Sequence, residues 1–170
     1  AVVEKILTLT ADNKPNAYAV RYALHCAASY GQLTVVEKLL AITTDNKPDA
    51  FAVSDAFSAA AGNGQLTVVE KLLAINSDNR PDGLAVSKAL SAAAINGRLA
   101  VVKGLLAITA ENKPDARAVS SAMRAAVSHS QWRVVENILA IAITAESKPD
   151  ARAIRSVLIS AASHGQLTVV

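Results

Sequence analysis

One phrase returns along this chain at a nearly fixed interval. It reads GQLTVVEKLLAI from Gly31 and again from Gly64, GRLAVVKGLLAI from Gly97, SQWRVVENILAI from Ser130 and GQLTVV from Gly165, at spacings of 33, 33, 33 and 35 residues. All five prolines, Pro15, Pro48, Pro81, Pro114 and Pro149, stand 16 residues before the Gly or Ser that opens the phrase. A period of this size predicts a solenoid in which each unit packs only on its neighbours. Composition agrees. Of 170 residues, 52% are hydrophobic and 35 are Ala, but only six are aromatic. Such side chains suit thin, closely stacked layers better than one thick core.

Each unit reads as helix, short turn, helix, loop. The first helix should start at the Pro, or just after it with Asn16, Asp49, Asp82, Asp115 or Asp150 as cap. It should end at pairs such as Asn63-Gly64 and Asn96-Gly97, where a positive φ is tolerated. The second helix is expected from about Leu66 to Ile75. Leu66, Val69, Leu72 and Leu73 would form its buried side, and Glu70 and Lys71 would face solvent. The whole is an all-α, right-handed-type α-solenoid of about five 33-residue repeats with minimal or no β-hairpin. Residues 1–170 read as one repeat domain. A partial repeat covers 1–14, helix pairs start near 15, 48, 81 and 114, and a last first helix near 149 leads into a truncated second helix over 165–170. Both ends fall inside the pattern, which predicts a longer array.

Comparing units position by position separates scaffold from surface. Val20, Ala23, Leu24 and Ala27 share one face of the first helix at 100° per residue, and their counterparts are small or aliphatic apart from Phe57 and Met123. That face is the expected core. The Ala27, Ala60, Ala93, Ala126 and Ala161 column would let neighbouring helices approach to about 8–10 Å. Three other columns vary freely: Tyr18, Phe51, Leu84, Arg117, Arg152; then Tyr22, Asp55, Lys88, Ser121, Ser156; then His25, Ser58, Ser91, Arg124, Ile159. Spaced i, i+4 and i+7, they line one stripe per helix and, stacked, a surface about 40 Å long. Contiguous exposed apolar residues such as Tyr18, Tyr22, Phe51 and Leu84 mark contacts. The expected partner-binding residues are therefore these four with His25, Asp55, Lys88, Arg117, Arg124, Arg152 and, at the margin, Arg155.

Charge divides the chain. Residues 1–85 hold seven basic and nine acidic groups, a net of −2, and residues 86–170 hold ten basic and five acidic, a net of +5. The basic half could meet an acidic protein surface or a phosphate backbone. Catalytic patterns are absent: there is no phosphate loop, paired catalytic carboxylate or nucleophile elbow. His25 and Cys26 are sequence neighbours and point 100° apart on a helix. Cys26 aligns with Ala59, Ala92, Ala125 and Ser160 and is expected as a small core residue. His129 and His164 are too far apart for a metal site. No enzyme activity, cofactor or metal is expected. The longest apolar runs, such as Ile138 to Ile143, are far short of the ~20 residues that span a bilayer, and no signal-peptide core precedes Ala1.

The stretch AFSAAAGNGQLTVVEKLL, residues 56–73, resembles the centre of an ankyrin repeat, with paired alanines leading through a Gly turn into a helix of VVxxLL type. The resemblance covers roughly half of each unit and recurs along the chain. It implies a protein-recognition module without intrinsic catalysis whose variable first-helix residues line the concave surface. Arrays of this type occur in bacterial effectors, and the resemblance implies an intracellular place, in the cytoplasm or a host's cytoplasm. The family's TPLH opening is missing, its place held by Asp55, Ala56, Phe57 and Ser58. Its hairpin region is replaced by TTDNKPDAFAVS and equivalents, which moves expected contacts from a protruding finger to the helices. Two extra residues before Pro149 should bulge or lengthen the helix or loop ahead of the last unit. An alternative is nucleic-acid binding by the basic half, since the pairs Ser29-Tyr30, Gly62-Asn63, Ile95-Asn96, Ser128-His129 and Ser163-His164 loosely resemble the variable pairs of transcription-activator-like effector repeats.

Overall fold

A computed structural model describes residues 2–7, 15–75, 79–109, 112–144 and 148–166. Among them are ten helices and no strand: α1 (Val2–Leu7), α2 (Ala17–Ser29), α3 (Leu33–Leu40), α4 (Ala50–Asn63), α5 (Leu66–Leu73), α6 (Gly83–Ile95), α7 (Leu99–Leu106), α8 (Ala116–Ser128), α9 (Trp132–Thr144) and α10 (Ala151–Ser163). The architecture is an α-solenoid. Even-numbered helices α2, α4, α6, α8 and α10 are the first helices of successive units and stack on one another; α3, α5, α7 and α9 form a second, looser row behind them. The expected second helix over 165–170 lies outside the described residues from 167 onward.

Helix boundaries follow from side chains at their ends. Asn16, Asp49, Asp82, Asp115 and Asp150 are extended N-caps, and each accepts a hydrogen bond from the backbone N–H three residues on, at 2.6–2.8 Å. The other end closes on the alanine column. Backbone N–H groups of Gln32, Gln65, Arg98, Gln131 and Gln166 reach back to the carbonyls of Ala27, Ala60, Ala93, Ala126 and Ala161 at 2.8–2.9 Å. That six-to-one bond requires a left-handed residue between. Gly31, Gly64, Gly97 and Gly165 supply it at φ of 65° to 81°, and Ser130 adopts φ 56° in the remaining turn.

Burial confirms most of the expected core and corrects part of it. Leu24, Phe57, Leu90 and Met123 are fully buried in one column, and the alanine column is buried throughout, at 0–6% exposure. Ala23, expected in the core, is exposed, whereas its equivalents Ala56, Ala89, Ala122 and Val157 are buried. Ala19 repeats the pattern against Ala52, Ala85, Ala118 and Ala153. These two columns are open only in the first of the stacked helices, so in every other unit they face the preceding one. Ile154, Leu158 and Ala162 show the converse. Their columns are buried in α2, α4, α6 and α8 and exposed in α10, so in the rest of the stack they face the next unit.

Cys26 is half-buried rather than a core residue, as are Ala59, Ala92, Ala125 and Ser160. The second helix α5 ends two residues before the expected Ile75, and α3 and α7 end at the equivalent positions. Val68, Val69 and Leu72 are their buried residues, with Leu66 and Leu73 partly covered. Lys71 does not simply face solvent: its Nζ lies 2.6 Å from Oε1 of Glu37 on the preceding second helix. Trp132 packs against the core as Leu33, Leu66 and Leu99 do. The two extra residues before Pro149 accompany a longer helix, since α9 has 13 residues where α3, α5 and α7 have eight.

Candidate functional site

The site is the stripe of first-helix residues that faces away from the second helices, bounded at each end by the N-caps and the left-handed turns. Tyr18 and Tyr22 are 73% and 61% exposed on α2, Phe51 60% on α4 and Leu84 63% on α6, beside core columns at essentially zero. One turn apart on α2, the rings of Tyr18, Tyr22 and His25 run as a parallel ladder. Successive centroids are 6.5 Å apart and interplanar angles are 9° and 7°. The Cys26 sulfur one turn along pushes the Tyr22 phenol above its ordinary pKa of 10.0, so Tyr22 stays a neutral donor well past neutral pH.

Asp55 ties α4 to α2. Its Oδ2 lies 3.2 Å from Nδ1 of His25 and 3.9 Å from Nη2 of Arg21. A carboxylate only accepts, so His25 presents its Nδ1 proton there. Arg21 also lies over the Phe51 ring, with Cζ 4.1 Å from the centroid, a cation–π contact across the same junction. Sequence reasoning passed over Arg21, although its column is that of Arg155. Ser54 was likewise passed over, whereas Ser58 belongs to the third variable column. They line a groove of about 360 Å³ between α4 and α6 together with Phe51, Asp55, Leu84 and Lys88.

The basic residues lie farther along the same stripe. Lys88 on α6, Arg117 on α8, and Arg152 and Arg155 on α10 are exposed. Arg124 is half-buried, 3.7 Å from Oδ2 of Asp150. The structure thus brings Tyr18, Tyr22, His25, Phe51 and Asp55 into one cluster, sets Leu84 and Lys88 on the next groove, and spaces the four arginines beyond it.

Two further sets of residues turn out to be structural. The carboxamides of Asn46, Asn79 and Asn112 each donate to the carbonyl of the preceding unit's proline, Pro15, Pro48 and Pro81, at 2.7–3.0 Å. Gln65 and Arg98 donate to the carbonyls of Ser29 and Gly62 one unit back, at 3.3 and 3.1 Å. At the last junction the backbone N–H of Asp150 donates to the buried hydroxyl of Ser120, at 2.8 Å. The recurrence of Asn before Lys-Pro or Arg-Pro was the signal for these clips. The residue pairs between helices have a local job. Asn63 and Asn96 each donate to the carbonyl four residues back at 2.9 Å, and Nδ1 of His129 and His164 approaches the equivalent carbonyls at 3.0 and 2.8 Å. These contacts close the last helical turn.

The sequence of residues 24–118, more than half of the chain, matches the family model for ankyrin repeats in three copies. The chain belongs to the ankyrin-repeat family. No curated protein and no solved structure matches it. Ankyrin repeats are generic protein–protein interaction modules, typically without enzymatic activity. Among the described residues of this ankyrin array, no group of three or more His, Cys, Asp or Glu side chains could hold a metal ion. No described helix is long and apolar enough to cross a membrane.

Proposed function

We propose that residues 1–170 act as one interaction domain that holds a partner protein against the variable stripe of α2, α4, α6, α8 and α10. Tyr18, Tyr22, His25, Phe51, Asp55, Leu84, Lys88, Arg117, Arg124, Arg152 and Arg155 are the contact residues in this reading. The observation that carries it is the exposure of four large apolar or aromatic side chains side by side, at 60–73%, on helices whose core columns are buried. Large apolar patches on protein surfaces tend to be functional, and Tyr is enriched among the residues that dominate binding energy. Inter-unit clips and caps hold that stripe rigid, which lowers the entropy lost on binding.

The test is affinity capture with the native array and a Phe51→Asp/Leu84→Asp variant side by side, each with and without nuclease and at two salt concentrations. The expected result is a protein retained through nuclease treatment by the native array and lost by the variant, with helicity and melting temperature nearly unchanged. Equal retention by both arrays would overturn the assigned face. Recovery abolished by nuclease would replace this reading with nucleic-acid binding through Arg117, Arg124, Arg152 and Arg155.

A further inference from the structure

The stripe is polar along its length, and that polarity selects a partner chemistry. Within the first helices, α2 carries Arg21, which faces Asp55 of α4, α4 carries no basic residue, α6 carries Lys88 and no acidic one, α8 carries Arg117 and Arg124, and α10 carries Arg152 and Arg155, again with no acid. The carboxylates of Asp82, Asp115 and Asp150 sit at the N-cap end of these helices, where they accept backbone N–H bonds; Asp150 also faces Arg124, and Asp82 lines the α4–α6 groove. Among the described residues, Lys88, Arg117, Arg152 and Arg155 have no ion-pair partner. Beside this unpaired positive run lies the α4–α6 groove, walled by Phe51 and Leu84 and large enough, at about 360 Å³, for a bulky apolar side chain.

Resting on the protein-binding reading, we propose that the stripe takes a linear protein segment in which a large apolar side chain seats in the α4–α6 groove and a run of Asp or Glu continues over α8 and α10. Helices stacked at about 10 Å put α8 about 15 Å and α10 about 25 Å from the middle of the groove. An extended segment covers about 3.3 Å per residue, so its acids fall about five to eight residues from the anchor. A phosphate backbone has the same charge but no apolar anchor, and its path toward the groove meets Asp55 and a half of the chain with net charge −2. An acidic protein segment satisfies both ends of the stripe.

The probe is a randomised 16-residue peptide library selected on the whole chain, with a 16-nucleotide oligo-dT measured in parallel. The expected outcome is enrichment of peptides with an apolar residue five to eight positions from two or more acids. Their affinity should fall at least about tenfold in an Arg117→Glu/Arg152→Glu/Arg155→Glu variant, and should also fall as salt is raised. Circular dichroism of that variant should match the native array, since all three residues are exposed. Peptides without acidic bias that still depend on Phe51 and Leu84 would overturn the charge polarity while leaving the protein-binding face intact. Enrichment indifferent to both sets of substitutions would overturn both readings, and no enrichment would overturn the linear-segment reading, the capture experiment above then deciding the protein-binding face. Oligonucleotide binding tighter than that of the selected peptides, and lost in the arginine variant, would overturn this one in favour of nucleic acid.

Discussion

Phe57 on α4 and Leu158 on α10 occupy the same column two units from α8 on one side and one unit on the other, yet Phe57 is wholly buried and Leu158 is 51% exposed. Val53 and Ile154 differ in the same way, at 1% and 42%. The interior junctions are held by an Asn-to-proline-carbonyl clip and broad contact between first helices. At the α8–α10 junction the described links are the bond from the Asp150 backbone N–H to the Ser120 hydroxyl and the Arg124–Asp150 pair, contact is sparser, and the preceding second helix is longer. A column is therefore a capacity for burial, realised only where the neighbour that it faces is present: Leu24 on the first stacked helix is fully buried by the unit after it. The ankyrin family match, residues 24–118, runs from within α2 through α7 and stops at the start of α8, short of the α8–α10 junction.

The largest contrast should come from truncating that shared column. Phe57→Ala should lower unfolding free energy by about 3–5 kcal/mol in urea denaturation, through lost transfer energy and a cavity. Leu158→Ala should cost under about 1 kcal/mol, because half the side chain is already in water; equal losses would erase the distinction between the two regions. Enlarging a small residue tests it from the other direction. Ala94→Leu should overpack the buried interior by about 1–3 kcal/mol, whereas Ala162→Leu on exposed α10 should leave the melting temperature nearly unmoved.

Asn112→Ala should cost about 1 kcal/mol by removing the 2.7 Å bond to the Pro81 carbonyl, a buried proline's acceptor at an interior junction. Hydrogen exchange across the α6–α8 junction should then quicken, and a unit-local change there would show the clip acting between neighbours only. The smallest effect is a gain. Ser130→Gly should stabilise by about 0.5–1 kcal/mol, because Ser130 holds a left-handed φ of 56° in the turn where the other units place Gly. A loss there would mean that its side chain contributes more than its backbone strain removes.

Much of the architecture could be read from periodicity because helix ends are local events. Asp49 caps α4 and Gly64 closes it using atoms within a few residues, so one unit's sequence was sufficient. Of the site, the three variable columns were visible as exceptions to an otherwise repeated pattern. Arg21 was missed because its column looked marginal, and only its approach to Phe51 and Asp55 across the α2–α4 junction makes it part of the cluster. The Asn46, Asn79 and Asn112 clips were visible as a recurring letter but not as a bond, since donor and acceptor are 31 residues apart.

The 33-residue period, the proline and cap at each start, the glycine at each turn and the invariance of the alanine column made a helical ankyrin solenoid of this chain, because each rests on backbone conformations that nearby residues dictate. Which members of a column are covered was decided by the stack: Ala23 lacks the cover that buries Ala56, and Leu158 lacks the cover that buries Leu90. Burial is a property of pairs of surfaces, and the second surface comes from residues a full unit away.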